Sequence, residues 1–285
     1  MAAHHSIQSL CAFFGVSKSG YYAWRHRAPS RRAQEQHQLL AELQRLHAQS
    51  RQTYGSPRLC AALRQQGWKI GENRVARLMR SLGLRGVQKR RYRSKASPPR
   101  APCFPNRLAQ HGPPDRPDQA WVADITYLPT RQGWLYLAAV MDLYSRKIVG
   151  WSLHHKINSS LVKEALAKAW RDRRPQPGLL HHSDKGCQYT SAAFQALLLD
   201  LKILPSLTGP NHCYENAHIE SFWSKLKTEL HLDHHLFADY REAERSLFDY
   251  IETFYNPCRL HSSLGFKSPK QFEEEYLYET KRNSN

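Results

Sequence analysis

Charge is divided so unevenly along this chain that its two parts cannot have the same kind of partner. Up to residue 114 there are 21 Lys and Arg but only three acids, Glu35, Glu42 and Glu72. From residue 115 onward 21 bases meet 21 acids, so the whole net charge of +18 sits in the first two fifths. Solvated helical faces usually mix signs. A stretch this one-sided calls for a polyanionic partner, most simply nucleic acid. The acid-poor run QKRRYRSKASPPR at 88–100, with Lys89, Arg90, Arg91 and Arg93, points the same way. Its phosphate contacts would be salt-sensitive and largely blind to sequence.

The basic part reads as helical. Leu10, Phe13 and Phe14 recur at helical spacing, Gly15 breaks the run, and Ser17 can cap a second short helix. Residues 31–49 carry Leu39, Leu40, Leu43 and Leu46 on one face. Ser56-Pro57 offers an N-cap and a first-turn proline, Gly67 stops that helix, and another runs from about Asn73 to Leu82. Two short helices joined by a tight turn, the second bearing Arg74, Arg77 and Arg80, form the helix-turn-helix pattern, for which a plain helical hairpin is the alternative. Prolines crowd the segment that follows.

At Ala120 the texture changes to alternating, β-rich runs. WVADITYL, WLYLAAVMDLYS and KIVGWSL read as an antiparallel meander. A helix over 160–171, a strand in LLHHSD, a helix over 191–201, a strand over 203–206 and helices near 216–232 and 239–255 complete an α/β unit with a mixed sheet. The expected organisation is a short helical segment (1–30), a helix-turn-helix region with a basic arm (31–96), a proline-rich linker (97–117), an α/β core (118–275) and a tail (276–285). No run approaches the roughly 18 apolar residues of a membrane span, and no signal peptide precedes the first helix. The six cysteines are scattered without a C-x-x-C pair, so a reducing, cytoplasmic home is expected.

Three acids stand out. Asp124 lies mid-strand among apolar neighbours, where a carboxylate is costly unless paired, hydrogen-bonded or metal-bound. Asp184 follows a strand in HHSDKGCQYTS, and Glu220 lies on a helix in ENAHIESFWSKLKTE. Carboxylate oxygens are the ligands that Mg²⁺ and Mn²⁺ prefer. Singly, each has a plainer reading: a turn cap for Asp124, an Asx-turn before Gly186 for Asp184, a solvated helix residue for Glu220. Together they are more specific. Thirty-five residues separate Asp184 from Glu220, and Lys227 stands seven positions, two helical turns, beyond Glu220.

This arrangement, with HSDKGCQYTS, CYENAHIESFWSKLKTE and YNPCRLHSSLGFKSP, resembles the second-frame integrase-core protein of the insertion-sequence-three family of bacterial transposases, in the retroviral integrase superfamily. SRQTYGSPRLCAALRQQG and NRVARLMRSLGLRG resemble that family's helix-turn-helix segment. The resemblance implies a ribonuclease H-like α/β core, a mixed five-stranded sheet with helices, behind an all-α DNA-binding region. It implies a DNA transposase whose Asp124, Asp184 and Glu220 hold two Mg²⁺ or Mn²⁺ ions for strand cleavage and 3′-hydroxyl strand transfer. It also implies binding to terminal inverted repeats and target DNA, a homo-oligomer on DNA, a nucleoid-associated location, and possible fusion or partnership with an upstream-frame product. Lys227 would contact DNA phosphate, Asn216 would orient Glu220, and His182 would support the site. Arg259, His261 and Ser262 match a family motif and read equally as packing or DNA contact. A non-catalytic DNA-binding regulator and a nuclease without strand transfer are the alternatives.

Overall fold

The computed structural model describes residues 5–87, 106–208 and 216–283. Helices α1 (Ile7–Phe13), α2 (Lys18–Arg25) and α3 (Arg31–Gln49) begin at Ser6, Ser17 and Ser30, whose hydroxyls accept backbone N–H bonds from the first turn. The helix-turn-helix pair is α4 (Ser56–Gln65) and α5 (Glu72–Ser81). Gly67, at φ +90°, turns the chain between them in the left-handed region that favours glycine. Gly55, not Ser56, is the N-cap of α4; the Ser56 hydroxyl donates instead to Glu72 on α5, at 3.3 Å. Leu39 and Leu43 of α3, Leu59 and Leu63 of α4, and Val75 and Met79 of α5 form the interior of this region.

The core is a five-stranded sheet in the order β3-β2-β1-β4-β5. Strands β1 (Ala120–Thr130), β2 (Gly133–Asp142) and β3 (Ile148–His154) form the expected antiparallel meander. Strands β4 (Leu180–Ser183) and β5 (Leu204–Leu207) add in parallel on the other side of β1. Helices α7 (Ser159–Arg173) and α8 (Ala192–Asp200) cover one face, packing on Trp121, Ala123, Ala138 and Val140. Helix α7 approaches so closely that a Cβ on Gly150 would lie 2.3 Å from the Ala165 carbonyl. Helices α9 (Ala217–Glu229) and α10 (Tyr240–Phe248) cover the opposite face, over Ala120, Val122, Leu137 and Ala139. This is the ribonuclease H-like architecture.

Several segments differ from the expectation. The stretch read as linker contains α6 (Arg107–His111), docked on β5 where the Ser206 hydroxyl accepts from the Arg107 and Leu108 amides. Residues 276–283 of the stretch read as a tail form the second half of α11 (Pro269–Asn283). Glu273 anchors that helix through a two-pronged ion pair with Arg173. The helix expected to run to 255 is α-helical only to Phe248 and widens into a π-helical turn over Asp249–Tyr255. The wider turn buries Tyr250, Ile251, Phe254 and Tyr255 together. The helix-turn-helix region and the core are not separate bodies on a tether. Their apolar interiors are continuous, Arg51 pairs with Asp249 at 2.8 Å, and the Tyr54 hydroxyl accepts the Leu260 amide at 2.6 Å. Among the described residues no helix is long and apolar enough to cross a membrane.

Candidate functional site

Side chains alternate between the faces of a strand. Ala120 and Val122 face α9, so Asp124 does too, and Trp223 of α9 donates its indole N–H to Asp124 Oδ2 at 2.9 Å. In the parallel pairing of β1 with β4 the last matched residues are Ala123 and Ser183. Asp124 and Asp184 are each one residue further on, so the register sets them side by side where the two strands part. The Asx-turn is present, with the Gly186 amide donating to Asp184 Oδ1 at 3.0 Å, and it fixes the carboxylate at that rim.

Burial and neighbouring charge set the electrostatics of the cluster. Burial first, then the charges of Asp184 and Glu220, push the Asp124 carboxyl up to about 7, against the lowering effect of the Ile125 amide and Trp223. Burial raises Asp184 as well. Burial lowers the Lys227 amine, and the charges of Asp124 and Asp233 partly restore it. Glu220, in the first turn of α9, is exposed and reaches Asp124 through its charge. Among the described residues no three His, Cys, Asp or Glu side chains are gathered tightly enough to hold an ion. Thus the sheet brings Asp124 and Asp184 together, while Glu220 rests in the open. The donor set suits a hard divalent cation: oxygen ligands only, with the charges of Asp184 and Glu220 raising the proton affinity of Asp124.

His182 and Asn216 belong to one hydrogen-bond chain. Ser206 Oγ already accepts two amides, so its own proton goes to His182 Nδ1 at 2.9 Å. His182 Nε2–H then donates to Thr208 Oγ1 at 3.2 Å, and Thr208 donates to the Ser183 carbonyl. Asn216 Nδ2 also donates to Thr208, at 3.3 Å. The chain ties the end of β4, just before Asp184, to the entry of α9, which bears Glu220. Asn216 therefore bonds to Thr208 and not to Glu220.

Sequence reasoning missed Ser206, Thr208 and Tyr189. Tyr189 is buried, and its phenol is pushed well above its ordinary value by burial and by the charges of Asp124 and Asp184. Among the described residues its hydroxyl has no partner. The only signal was its place in the word DKGCQYTS. Arg74, Arg77 and Arg80 are exposed on α5. Lys89, Arg90, Arg91 and Arg93 lie outside the described residues. Arg259 is buried against Glu229 of α9, and His261 is buried beside Tyr255, so both are packed at the end of that helix.

A family model for the integrase core domain matches residues 114–213, a second integrase core model matches 201–269, and an HTH-like domain model matches 33–92. Transposase InsF for insertion sequence IS3A of Escherichia coli is 39% identical over 284 residues, covering 96% of both chains. The chain belongs to the IS3 family of insertion-sequence transposases. Within the family it is 42% identical to a 31 kDa protein of insertion element IS600 from Shigella sonnei, covering 94% of this chain and 98% of that one. It is 37% identical to the transposase of IS904 from Lactococcus lactis, covering 87% and 98%. Among solved structures, the magnesium complex of the HTLV-2 integrase catalytic core domain aligns over 56% of this IS3-family chain and 98% of its own, at 17% identity and a TM-score of 0.42. The simian T-cell lymphotropic virus intasome aligns over 80% and 73%, at 16% identity and a TM-score of 0.47.

Proposed function

We propose that this IS3-family chain binds the terminal inverted repeats of its insertion sequence and carries out metal-dependent strand cleavage and 3′-hydroxyl strand transfer, with Asp124, Asp184 and Glu220 as the catalytic acids. The observation that carries the reading is the register of β1 and β4, which places two carboxylates side by side opposite the helix that bears the third. These three residues would hold two divalent ions, Mg²⁺ or Mn²⁺, which supply activation of the attacking oxygen and stabilisation of the leaving oxygen. The protein's own groups do the positioning. Trp223 fixes one Asp124 oxygen, the Gly186 amide fixes Asp184, and the His182–Thr208–Asn216 chain sets the approach of α9. Lys227 offers its charge to a DNA phosphate at the rim, and Arg74, Arg77 and Arg80 grip the duplex from α5. DNA binding would assemble more than one copy, and the upstream-frame product would act as a fusion or partner.

The test incubates the purified chain with labelled element ends and Mn²⁺, with and without the upstream-frame product. Cleavage at the ends and branched joints support the reading; cleavage without joints on added target would make the protein a nuclease. Proton competition supplies a second check. A metal ligand must be ionised, so below about pH 7 the proton on Asp124 opposes binding and each further unit costs about tenfold in metal affinity. The metal concentration needed for half-maximal cleavage should therefore rise as pH falls from 7 to 6 and stay flat above 8. An unchanged requirement across that range would remove Asp124 from the ligand set. For the basic run, replacing Lys89, Arg90, Arg91 and Arg93 with Ala should flatten the salt dependence of DNA affinity by up to about 0.9 per lost phosphate contact. An unchanged slope refutes its role as a phosphate grip.

A further inference from the structure

A cleft of about 440 Å³ opens between α4 and α9, at the seam of the helix-turn-helix region and the core. Arg58 lines it from α4; Ser221, Ser224 and Lys225 line it from α9, with the candidate catalytic Glu220 at its edge; Arg259 and Glu229 also line it. The Glu229 carboxylate is already occupied, taking Arg259 Nε and Nη2 and the Tyr250 hydroxyl. Arg259 is only 1% exposed, and among the described residues its Nη1 has no partner. Arg58 and Lys225 are half-buried and, among the described residues, neither is in an ion pair with a carboxylate. Burial, then the charges of Arg259 and Arg58, hold the Lys225 amine down to about 8. Partly desolvated cations facing one another with a spare buried donor are unfavourable unless an anion joins them.

The anion that suits this set is a tetrahedral oxyanion, able to accept an arginine fork, an ammonium and serine hydroxyls together. The surroundings say where it comes from. A second cleft, of about 940 Å³, shares Arg58 and Val87 with the first and is lined also by Arg80 and Arg85. A cationic track thus runs from the end of α5, past Arg58, to the turn of α9 that begins at Glu220. Lys225 lies five residues from Glu220, about 7.5 Å along the helix axis.

We propose that Arg58, Lys225 and Arg259 hold one backbone phosphate of the DNA strand that leads from the helix-turn-helix region to the candidate catalytic acids. This rests on the reading above that the substrate is DNA. Because Arg58 comes from the helical region and Lys225 from the core, the phosphate bridges the seam that Arg51 and Tyr54 already close.

The experiment is acylation of Lys225 at pH 8, read by mass spectrometry on the full chain in metal-free buffer, with element-end DNA, with millimolar inorganic phosphate, or alone. DNA is expected to protect Lys225, and the protection is expected to be lost in Arg58→Gln. That variant should bind DNA about tenfold more weakly, with the salt slope reduced by about 0.9. Unchanged labelling with DNA bound overturns the proposal, as does protection that survives in Arg58→Gln, which would be mere shielding. Protection by inorganic phosphate but not by DNA overturns the assignment to a DNA strand. The readout needs no cleavage, so the two readings fail separately. Cleavage without Lys225 protection defeats this inference alone, and protection in a chain that cleaves with no metal defeats the functional reading alone.

Discussion

Asp184→Asn should eliminate strand cleavage while leaving DNA binding and folding intact. The Asn side chain keeps an oxygen for the Gly186 amide, so the turn at the end of β4 survives. What is lost is a charge that a hard cation requires. Since metal assistance is worth several kcal/mol of transition-state stabilisation and about 1.4 kcal/mol is tenfold in rate, the expected loss is about a thousandfold or more. A companion effect separates a catalytic from a structural role. Part of the upward push on Asp124 comes from the Asp184 charge, so its carboxyl should titrate below 7 in the variant. Carboxyl titration by NMR would read this in the metal-free protein. Retained cleavage, or lost DNA affinity with a disrupted fold, would remove Asp184 from the proposed triad.

Local pattern made most of this architecture legible, and the misses share one physical origin. The alternation through WVADITYL identified β1 and placed a carboxylate inside it, because period two is a property of neighbouring residues. The fold agrees with the expected α/β class, strand by strand, within one to three residues at each end. The partnership of Asp124 with Asp184, by contrast, depends on register between strands about 60 residues apart, which no local signal encodes. The same is true of Ser206 and Thr208, whose hydroxyls look like ordinary strand residues until β4, β5 and α6 are assembled around His182. Helix α6 and the second half of α11 fall in the stretches expected as linker and tail because they are short or polar, and what holds these helices is tertiary: Ser206 for one, Arg173 for the other. Docking of the helix-turn-helix region on the core was equally out of reach. Arg51 and Tyr54 find partners some 200 residues away.

Arg259→Met should be the most destabilising single change outside the apolar core. Arg259 and Glu229 have side chains only 1% and 6% exposed, and the guanidinium meets the carboxylate through Nε and Nη2 while Tyr250 donates to the same group at 2.8 Å. Burial alone would raise the Glu229 carboxyl, but the Arg259 hydrogen bonds and charge hold it below its ordinary value. Removing the arginine strands a buried carboxylate, at a cost of about 3–5 kcal/mol. For a chain of this size that lowers Tm by roughly 10 °C. The sign with pH follows from the depressed carboxyl. Its stabilising contribution is present above the unfolded-state pKa of about 4.3 and is lost as pH falls through the lower folded-state value. The wild type should therefore lose stability on acidification in a window that Glu229→Gln no longer shows. Replacing both partners, Arg259→Met with Glu229→Met, should recover most of the loss, because the cost lies in the unpaired charge and not in the missing bond. A stability for Arg259→Met within about 1 kcal/mol of wild type would mean that water reaches Glu229. The pair would then no longer serve as the anchor at the end of α9, the helix that carries Glu220, Trp223 and Lys227 to the site.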